Sequence, residues 1–187
     1  MARVRIVAGA AKGRRLAVAA RGVRPTSDKT REALFSALEA LLLLDAARVL
    51  DLFAGTGAVG LEALSRGAGH VTFVEADKFA AQTLSRNIAA VGLAGTSVQR
   101  SSVEAFFAAG NAEAPFRLIF ADPPYGYGEE ALTRMLVDAA DAGWLDPNGI
   151  LVVERSARSP VPQWPDVIEP IKHRRYGEGV LWYGRRK

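Results

Sequence analysis

The stretch from residue 49 to residue 60 constrains the fold of this chain more than any other. It contains Val-Leu-Asp-Leu-Phe-Ala-Gly-Thr-Gly-Ala-Val-Gly, an apolar run followed by three closely spaced glycines and a helix-length segment. A strand, a glycine-rich turn and a helix in this order are typical of the first unit of a doubly wound α/β sheet. Gly55, Gly57 and Gly60 would permit a sharp turn and let a ligand lie against bare backbone.

The rest of the chain repeats this alternation. Helix-length segments follow Gly57, Asp77, Ser102 and Gly128, and short apolar runs predict strands at residues 71–75, 97–100, 118–121 and 150–154. Strands that alternate with helices predict a parallel sheet covered on both faces. The tail is too short for another crossover helix, so we expect an antiparallel hairpin that turns at residues 176–179.

The N-terminal part has a different pattern. Two short alternating runs, residues 3–8 and 14–18, flank a glycine-containing turn and predict a β-hairpin. Apolar periodicity predicts an amphipathic helix over residues 29–44. We therefore predict an N-terminal β-hairpin extension at residues 1–31, outside the core, and a Rossmann-like domain at residues 32–187. Its α/β sheet would be doubly wound and mostly parallel, with a C-terminal antiparallel hairpin.

The composition argues against several protein classes. The 187 residues include no cysteine, and His70 and His173 are far apart, so we expect neither disulfides nor a bound metal. Apolar runs such as residues 41–44 are much shorter than the roughly 20 residues that cross a bilayer. We expect a cytoplasmic protein that makes no membrane contact.

Charge is distributed unevenly along the chain. Residues 1–31 contain nine basic residues and one acidic residue, residues 170–187 contain six and one, and residues 32–169 contain nine and eighteen. Basic ends around an acidic body predict a polyanionic partner, and a solvated surface without a partner is the alternative. The candidate RNA-binding residues are Arg3, Arg5, Lys12, Arg14, Arg15, Arg24, Lys29 and Arg31.

An acidic residue lies where ribose recognition would require it. Glu75 ends the second strand of the α/β series, 20 residues after Gly55, and could accept hydrogen bonds from both ribose hydroxyls of a nucleoside cofactor. The glycine pattern alone fits NAD as well as S-adenosylmethionine. Asp51 lies just before the glycines, where its carboxylate would repel a pyrophosphate but attract a cationic α-amino group. These residues favour S-adenosylmethionine.

The tetrapeptide Asp122-Pro123-Pro124-Tyr125 follows the fourth predicted strand of that series. Two consecutive prolines remove two amide donors and fix φ twice, so this segment is a stiff turn. It would present the Asp122 carboxylate and the Pro123 carbonyl as two acceptors beside the flat ring of Tyr125. Two acceptors suit a planar NH2 group, and an aromatic ring suits a nucleobase. A surface loop whose acid caps the next helix is the alternative.

These motifs together resemble the bacterial RsmD family. The resemblance lies in residues 51–67, 74–77 and 122–125, and it extends to residues 5–9, 13–16, 24–35 and 176–177. It implies an S-adenosylmethionine-dependent methyltransferase that modifies the N2 amine of a guanine in 16S rRNA and releases S-adenosylhomocysteine. The implied partner is the small ribosomal subunit or its assembly intermediate. The implied site residues are Asp122, Pro123 and Tyr125 for catalysis, and Asp51, Phe53, Gly55, Gly57, Gly60, Glu75, Ser102 and Asp122 for the cofactor.

Several alternatives stay open at this point. The turn at residues 122–125 would serve any planar amine, including adenine N6 or a glutamine amide. A basic RNA-binding assembly factor could keep the fold without turnover. An NAD-linked oxidoreductase is disfavoured by Asp51 and by the same turn. We expect a monomer.

Overall fold

The computed structural model describes residues 4–18, 27–141 and 143–187. Five helices lie in this part of the chain: α1 (Asp28–Glu39), α2 (Ala58–Ser65), α3 (Lys78–Val91), α4 (Val103–Ala108) and α5 (Glu129–Ala140). The strands are β1 (Val4–Arg5), β2 (Arg15–Leu16), β3 (Arg48–Leu52), β4 (His70–Val74), β5 (Thr96–Gln99), β6 (Phe116–Ala121), β7 (Leu145–Ser156), β8 (Ile168–Tyr176) and β9 (Gly179–Arg186).

One seven-stranded sheet organises the molecule, in the order β5-β4-β3-β6-β7-β9-β8. Strands β3 to β7 are parallel to one another, whereas β9 runs antiparallel to both β7 and β8. Strands β1 and β2 form a separate antiparallel hairpin. This arrangement confirms the predicted mostly parallel sheet, its closing hairpin and the N-terminal hairpin.

Two hydrophobic cores lie on opposite faces of the sheet. Side chains of α1, α2 and α3 pack with Val49 and Phe120 on one face, which we call the first core. Side chains of α4 and α5 pack with Leu50 and Ile119 on the other. Because helices cover both faces, the central strands are apolar at consecutive positions and do not alternate with polar residues.

The first long helix is shorter than its sequence pattern predicted. Helix α1 begins after its N-cap Ser27, whose side chain accepts a hydrogen bond from Thr30 N–H, and it ends at Glu39. The prediction extended it to residue 44. Leu42 and Leu44 are nevertheless buried in the first core. Their apolar character reflects burial of the connecting segment and not continuation of the helix.

The N-terminal hairpin packs into the first core instead of standing apart from it. Val4, Ile6 and Leu16 are all buried there. On α2, the buried Glu62 carboxylate accepts hydrogen bonds from Val7 N–H at 2.7 Å and Ala8 N–H at 3.0 Å. The described part of the hairpin therefore shares its core with the domain that follows.

Arg31 corrects one part of the predicted RNA surface. Its side chain is fully buried, and its guanidinium donates to the carbonyl of Arg5 and to the Asp28 carboxylate. A charge held in this way joins the hairpin to α1 and is not accessible to a phosphate. Arg3 and Arg24, two further predicted RNA contacts, lie outside the described residues.

The attachment of the hairpin gives the first prediction. Glu62→Ala leaves two backbone N–H groups without their acceptor and removes one of the two carboxylates that pair with Arg66, 2.9 Å away. We expect a loss of about 2–4 kcal/mol in the free energy of unfolding, measured by urea denaturation.

A matched control lies on α5. Glu130 also pairs with an arginine four positions later, but its side chain is 91% exposed. We expect Glu130→Ala to leave stability almost unchanged, since exposed ion pairs contribute little. Equal losses of the free energy of unfolding in the two variants would contradict the proposed attachment of the hairpin to α2.

Candidate active site

The register of the parallel strands assembles the site. Leu52 pairs with Val74 on one side and with Ala121 on the other. The residues that follow these three, Phe53, Glu75 and Asp122, therefore leave the sheet at the same edge. A cavity of about 830 Å³ lies over this edge, and all three residues line it.

The glycine-rich turn contributes to the cavity mainly through its first glycine. Gly55 lines the cavity, whereas Gly57 and Gly60 are not among the lining residues. Gly57 has φ 80°, and a Cβ there would lie 2.3 Å from a methyl carbon of Leu84. A Cβ on Gly60 would lie 2.3 Å from the Phe73 ring. The predicted sharp turn is present, these two glycines allow close packing of α2 and α3, and their contact with a cofactor stays a prediction.

Glu75 supports the turn while lining the cavity. One of its carboxylate oxygens accepts from Gly55 N–H at 2.7 Å, and the other accepts from Asp77 N–H at 2.7 Å. Each carboxylate oxygen has a second lone pair, so the group retains acceptor capacity for a ligand hydroxyl. The ribose contact of Glu75 stays a prediction.

Asp51 lies beneath the turn. It is buried, it is not among the residues that line the cavity, and it accepts from Gly60 N–H at 2.9 Å. Burial raises the pKa of Asp51 well above its usual range, and the nearby charges of Asp122 and Glu75 raise it further. The carboxyl groups of Asp122 and Glu75 are therefore close enough to disfavour the charged form of Asp51.

The turn after β6 is held by contacts that sequence analysis did not find. Tyr127 N–H donates to the Pro124 carbonyl at 2.8 Å. The Tyr127 hydroxyl donates to Glu104 on α4 at 2.7 Å, and its ring meets Phe53 edge-on at 5.1 Å. These contacts connect the turn to α4 and to the segment that follows β3. The only sequence signal was an aromatic residue between two glycines.

The predicted catalytic residues differ in exposure. Asp122 is half-buried, Pro123 is buried, and Tyr125 is 75% exposed, and all three line the cavity. Phe53 has φ 57°, a conformation that non-glycine residues rarely adopt. Ser102 also lines the cavity, and as the N-cap of α4 it accepts from Ala105 N–H at 3.2 Å.

The remaining predicted RNA contacts fall into two groups. Lys29, near the start of α1, lines the cavity. The exposed basic residues of the hairpin do not line the cavity, and the side chains of two of them already contact other protein groups. The Arg5 guanidinium lies 3.3 Å from Asp28, and Arg14 donates to the Ala90 carbonyl at 2.7 Å. Among the described basic residues of the hairpin, Lys12 and Arg15 are the two whose side chains make no such contact.

The cavity has one acidic end and one end of mixed charge. Carboxylates line the end above β3, β4 and β6. Basic side chains line the end formed by α1, β7 and the turn between β8 and β9, a segment that the sequence placed in a hairpin but not in the site. The carboxylates above these three strands are Glu75, Asp77, Glu104 and Asp122, and the other end has Lys29, Arg155 and Arg175 together with the carboxylates of Glu154 and Glu178.

Within the described ranges, no group of three or more His, Cys, Asp or Glu residues is arranged to hold a metal ion. None of the helices in that part of the chain combines the length and apolarity needed to cross a membrane.

Known proteins are similar to this chain in sequence and in architecture. A family model described as Conserved hypothetical protein 95 matches residues 4–185. Ribosomal RNA small subunit methyltransferase D of Escherichia coli (strain K12) is 38% identical over 163 residues, 87% of this chain and 79% of that protein. YlbH of Bacillus subtilis, described as a candidate rRNA methyltransferase, is 37% identical over 187 residues, 98% of this chain and 100% of that protein.

Solved structures agree with this relationship. YhhF of Escherichia coli, described as a candidate methyltransferase, has a TM-score of 0.87 at 31% identity and covers 100% of this chain and 99% of that one. The fold is that of the Rossmann-like, S-adenosylmethionine-dependent methyltransferases, which confirms the predicted fold class. The chain belongs to the family described as Conserved hypothetical protein 95, the RsmD family that its motifs resemble.

The buried carboxyl of Asp51 gives the second prediction. Asp51→Asn keeps an oxygen that can accept from Gly60 N–H and removes the charge. Because the folded-state pKa is raised, the wild-type protein loses stability relative to the variant as the pH rises above the unfolded-state value of about 3.9. The difference in Tm should therefore grow with pH and level off above the folded-state pKa.

Thermal denaturation between about pH 5 and pH 9 measures this difference. Glu130→Gln serves as the control, because it neutralises a carboxylate that is already solvated. A Tm difference for Asp51→Asn that stays constant with pH would show that the buried carboxyl has an ordinary pKa.

Proposed function

We propose that this protein binds S-adenosylmethionine in the edge cavity and methylates the exocyclic N2 amine of a guanine in 16S rRNA of the small ribosomal subunit. One observation carries this proposal: Glu75, in the position for a ribose, and the turn at residues 122–125, suited to a planar amine, open into the same cavity. The rRNA substrate is supported by a relative that is named for it and is 38% identical. The reaction would take place in the cytoplasm.

The acidic end of the cavity fits this cofactor. S-adenosylmethionine has a sulfonium and an α-amino cation, and nearby carboxylates favour such charges. Gly55 and Glu75 would hold the ribose side of the cofactor, and Ser102, at the start of α4, would lie near its adenine. Asp51 would act from beneath the turn, through the field of its carboxylate, and not by direct contact. When bound, S-adenosylmethionine supplies an electrophilic methyl group.

The turn after β6 supplies what the target amine requires. The lone pair of an exocyclic guanine amine is delocalised into the ring, so the site must favour a pyramidal nitrogen. The Asp122 carboxylate and the Pro123 carbonyl would each accept a hydrogen bond from the amine and leave its lone pair directed at the methyl group. The Tyr125 ring would stack on the base and recover about 1–3 kcal/mol of the cost of unstacking it.

The reaction balances without a metal. A nitrogen–carbon bond forms from the amine lone pair as the carbon–sulfur bond breaks, and S-adenosylhomocysteine is released as the neutral thioether. The nitrogen becomes acidic as the new bond forms, and Asp122 is placed to accept its proton before transfer to water.

Nucleoside mass spectrometry tests the proposed target. Small ribosomal subunits from a strain that lacks the gene are incubated with the purified protein and S-adenosylmethionine. We expect N2-methylguanosine to form at a single position of 16S rRNA. Methyladenosine at N6, or a methylated glutamine in a ribosomal protein, would instead support another planar amine. No methyl transfer to RNA or protein would favour a non-catalytic assembly factor.

The role of Asp122 gives the third prediction. Asp122→Ala removes one acceptor for the target amine and the proposed proton acceptor, so we expect kcat to fall by at least about 100-fold. The affinity for S-adenosylmethionine, measured by calorimetry, should change only a few-fold, because the main contacts of Asp122 are to the amine.

Tyr125→Phe is the matched control in the same turn. It retains the aromatic ring, so it should remain active, whereas Tyr125→Ala should lose the stacking contribution. Near wild-type turnover by Asp122→Ala on small ribosomal subunits would refute the proposed binding of the amine.

A further inference from the structure

Strand β8 carries a run of exposed basic residues at the edge of the sheet. It pairs with β9 on one side and is the outermost strand in the sheet order. Lys172, His173, Arg174 and Arg175 are all exposed there. Four such residues in succession make this the most basic exposed strand among those described.

Two of these cations are positioned by aromatic rings. Lys172 Nζ lies 5.1 Å from the centre of the Tyr183 ring, and the Arg174 guanidinium lies 5.8 Å from the centre of the Tyr176 ring. Cation–π contacts of this kind restrict long side chains that would otherwise sample many rotamers. Both tyrosines pack against the first core, so the two cations lie on the same face of the sheet as α1 and the N-terminal hairpin.

The spacing of the two cations suits a single nucleic-acid strand. Lys172 and Arg174 are alternate residues of one strand, so their backbone positions are about 6.6 Å apart. That distance is close to the separation of successive phosphates along an RNA backbone. Ordered cations at this spacing could each bind one phosphate of the same strand.

The row of cations leads directly to the cavity. Arg175 and Tyr176, at the end of β8, line the end of mixed charge together with Lys29, Glu154 and Glu178. An RNA strand that followed Lys172 and Arg174 would therefore reach the cavity mouth at Tyr176, the next residue on that face of β8. The exposed ring of Tyr125 lies at the same cavity.

We propose that β8 binds the unpaired RNA segment that leads to the methylated nucleotide. Successive phosphates contact Lys172 and Arg174, and the RNA segment then enters the cavity beside Tyr176. The segment must be unpaired because the target base has to leave its stack to reach Asp122. This inference rests on the proposed function and adds a second RNA-contacting surface, separate from the N-terminal hairpin.

Another role is known for charges on edge strands. Lysine and arginine at a sheet edge discourage pairing with the edge of another molecule. That role requires neither the tyrosine rings beneath the cations nor their continuity with the cavity. The two roles also differ in what happens when the charges are removed, since only one of them predicts weaker binding of RNA.

Binding of small ribosomal subunits tests the inference. Subunits from a strain that lacks the gene are titrated with the wild-type protein and with Lys172→Ala/Arg174→Ala at several salt concentrations. We expect the double variant to bind on the order of tenfold more weakly. Its slope of log affinity against log salt should be shallower by about 1.4, since each lost contact to single-stranded RNA contributes about 0.7.

Three controls show whether a loss of RNA affinity comes from the lost charges, from their position on β8 or from a disturbed fold. Lys172→Arg/Arg174→Lys keeps both charges and should bind like the wild type. Arg134→Ala removes a cation that is exposed on α5, against the opposite face, and should have no effect on RNA affinity. Unchanged affinity for S-adenosylmethionine in the double alanine variant, measured by calorimetry, shows that the fold and the cofactor end of the cavity are intact.

The outcomes separate this inference from the proposed function. If the wild type methylates the subunits and the double alanine variant binds them with the same affinity and salt slope, the role of β8 is refuted and the proposed function stands. Self-association of that variant with unchanged RNA affinity would also refute it, in favour of edge protection. If the wild type neither binds nor methylates the subunits, both proposals fail.

Discussion

The pairing of β3 with β6 is the constraint on which the site depends. Leu52 lies opposite Ala121, so the glycine-rich turn and the Asp122 turn leave the sheet side by side although about 70 residues separate them. A shift of one residue in this register would direct each side chain to the opposite face. The buried side chains of both cores oppose such a shift, and the packing of the sheet therefore fixes the distance between the cofactor end and the amine-binding turn.

The same geometry concentrates negative charge in the absence of a ligand. Asp51, Glu75 and Asp122 end or follow three neighbouring strands, and their mutual repulsion contributes to the raised pKa of Asp51. Hydrogen bonds from Gly60 N–H to Asp51 and from Gly55 N–H to Glu75 offset part of this cost. A cation in the cavity would offset more of it, so the site is arranged before binding for a positively charged ligand.

Sequence patterns predicted the sheet well because apolar runs report burial directly. They predicted less of the site, because burial and contact depend on residues distant in the chain. A count of charges treats every arginine as exposed, whereas Arg31 is buried against the carbonyl of Arg5 and the Asp28 carboxylate. The glycine pattern likewise did not distinguish Gly55, which lines the cavity, from Gly60, which allows helix α2 to pack on Phe73.

Selection of a cationic nucleoside by the edge cavity is the central claim, and calorimetry with two ligands tests it most directly. S-adenosylmethionine and NAD are titrated into the same preparation of the wild-type protein under identical conditions. The account predicts saturable binding of one S-adenosylmethionine per chain and no saturable heat with NAD, because the carboxylates of the cavity repel a pyrophosphate. Binding of NAD as tight as that of S-adenosylmethionine, or no binding of S-adenosylmethionine, would contradict it.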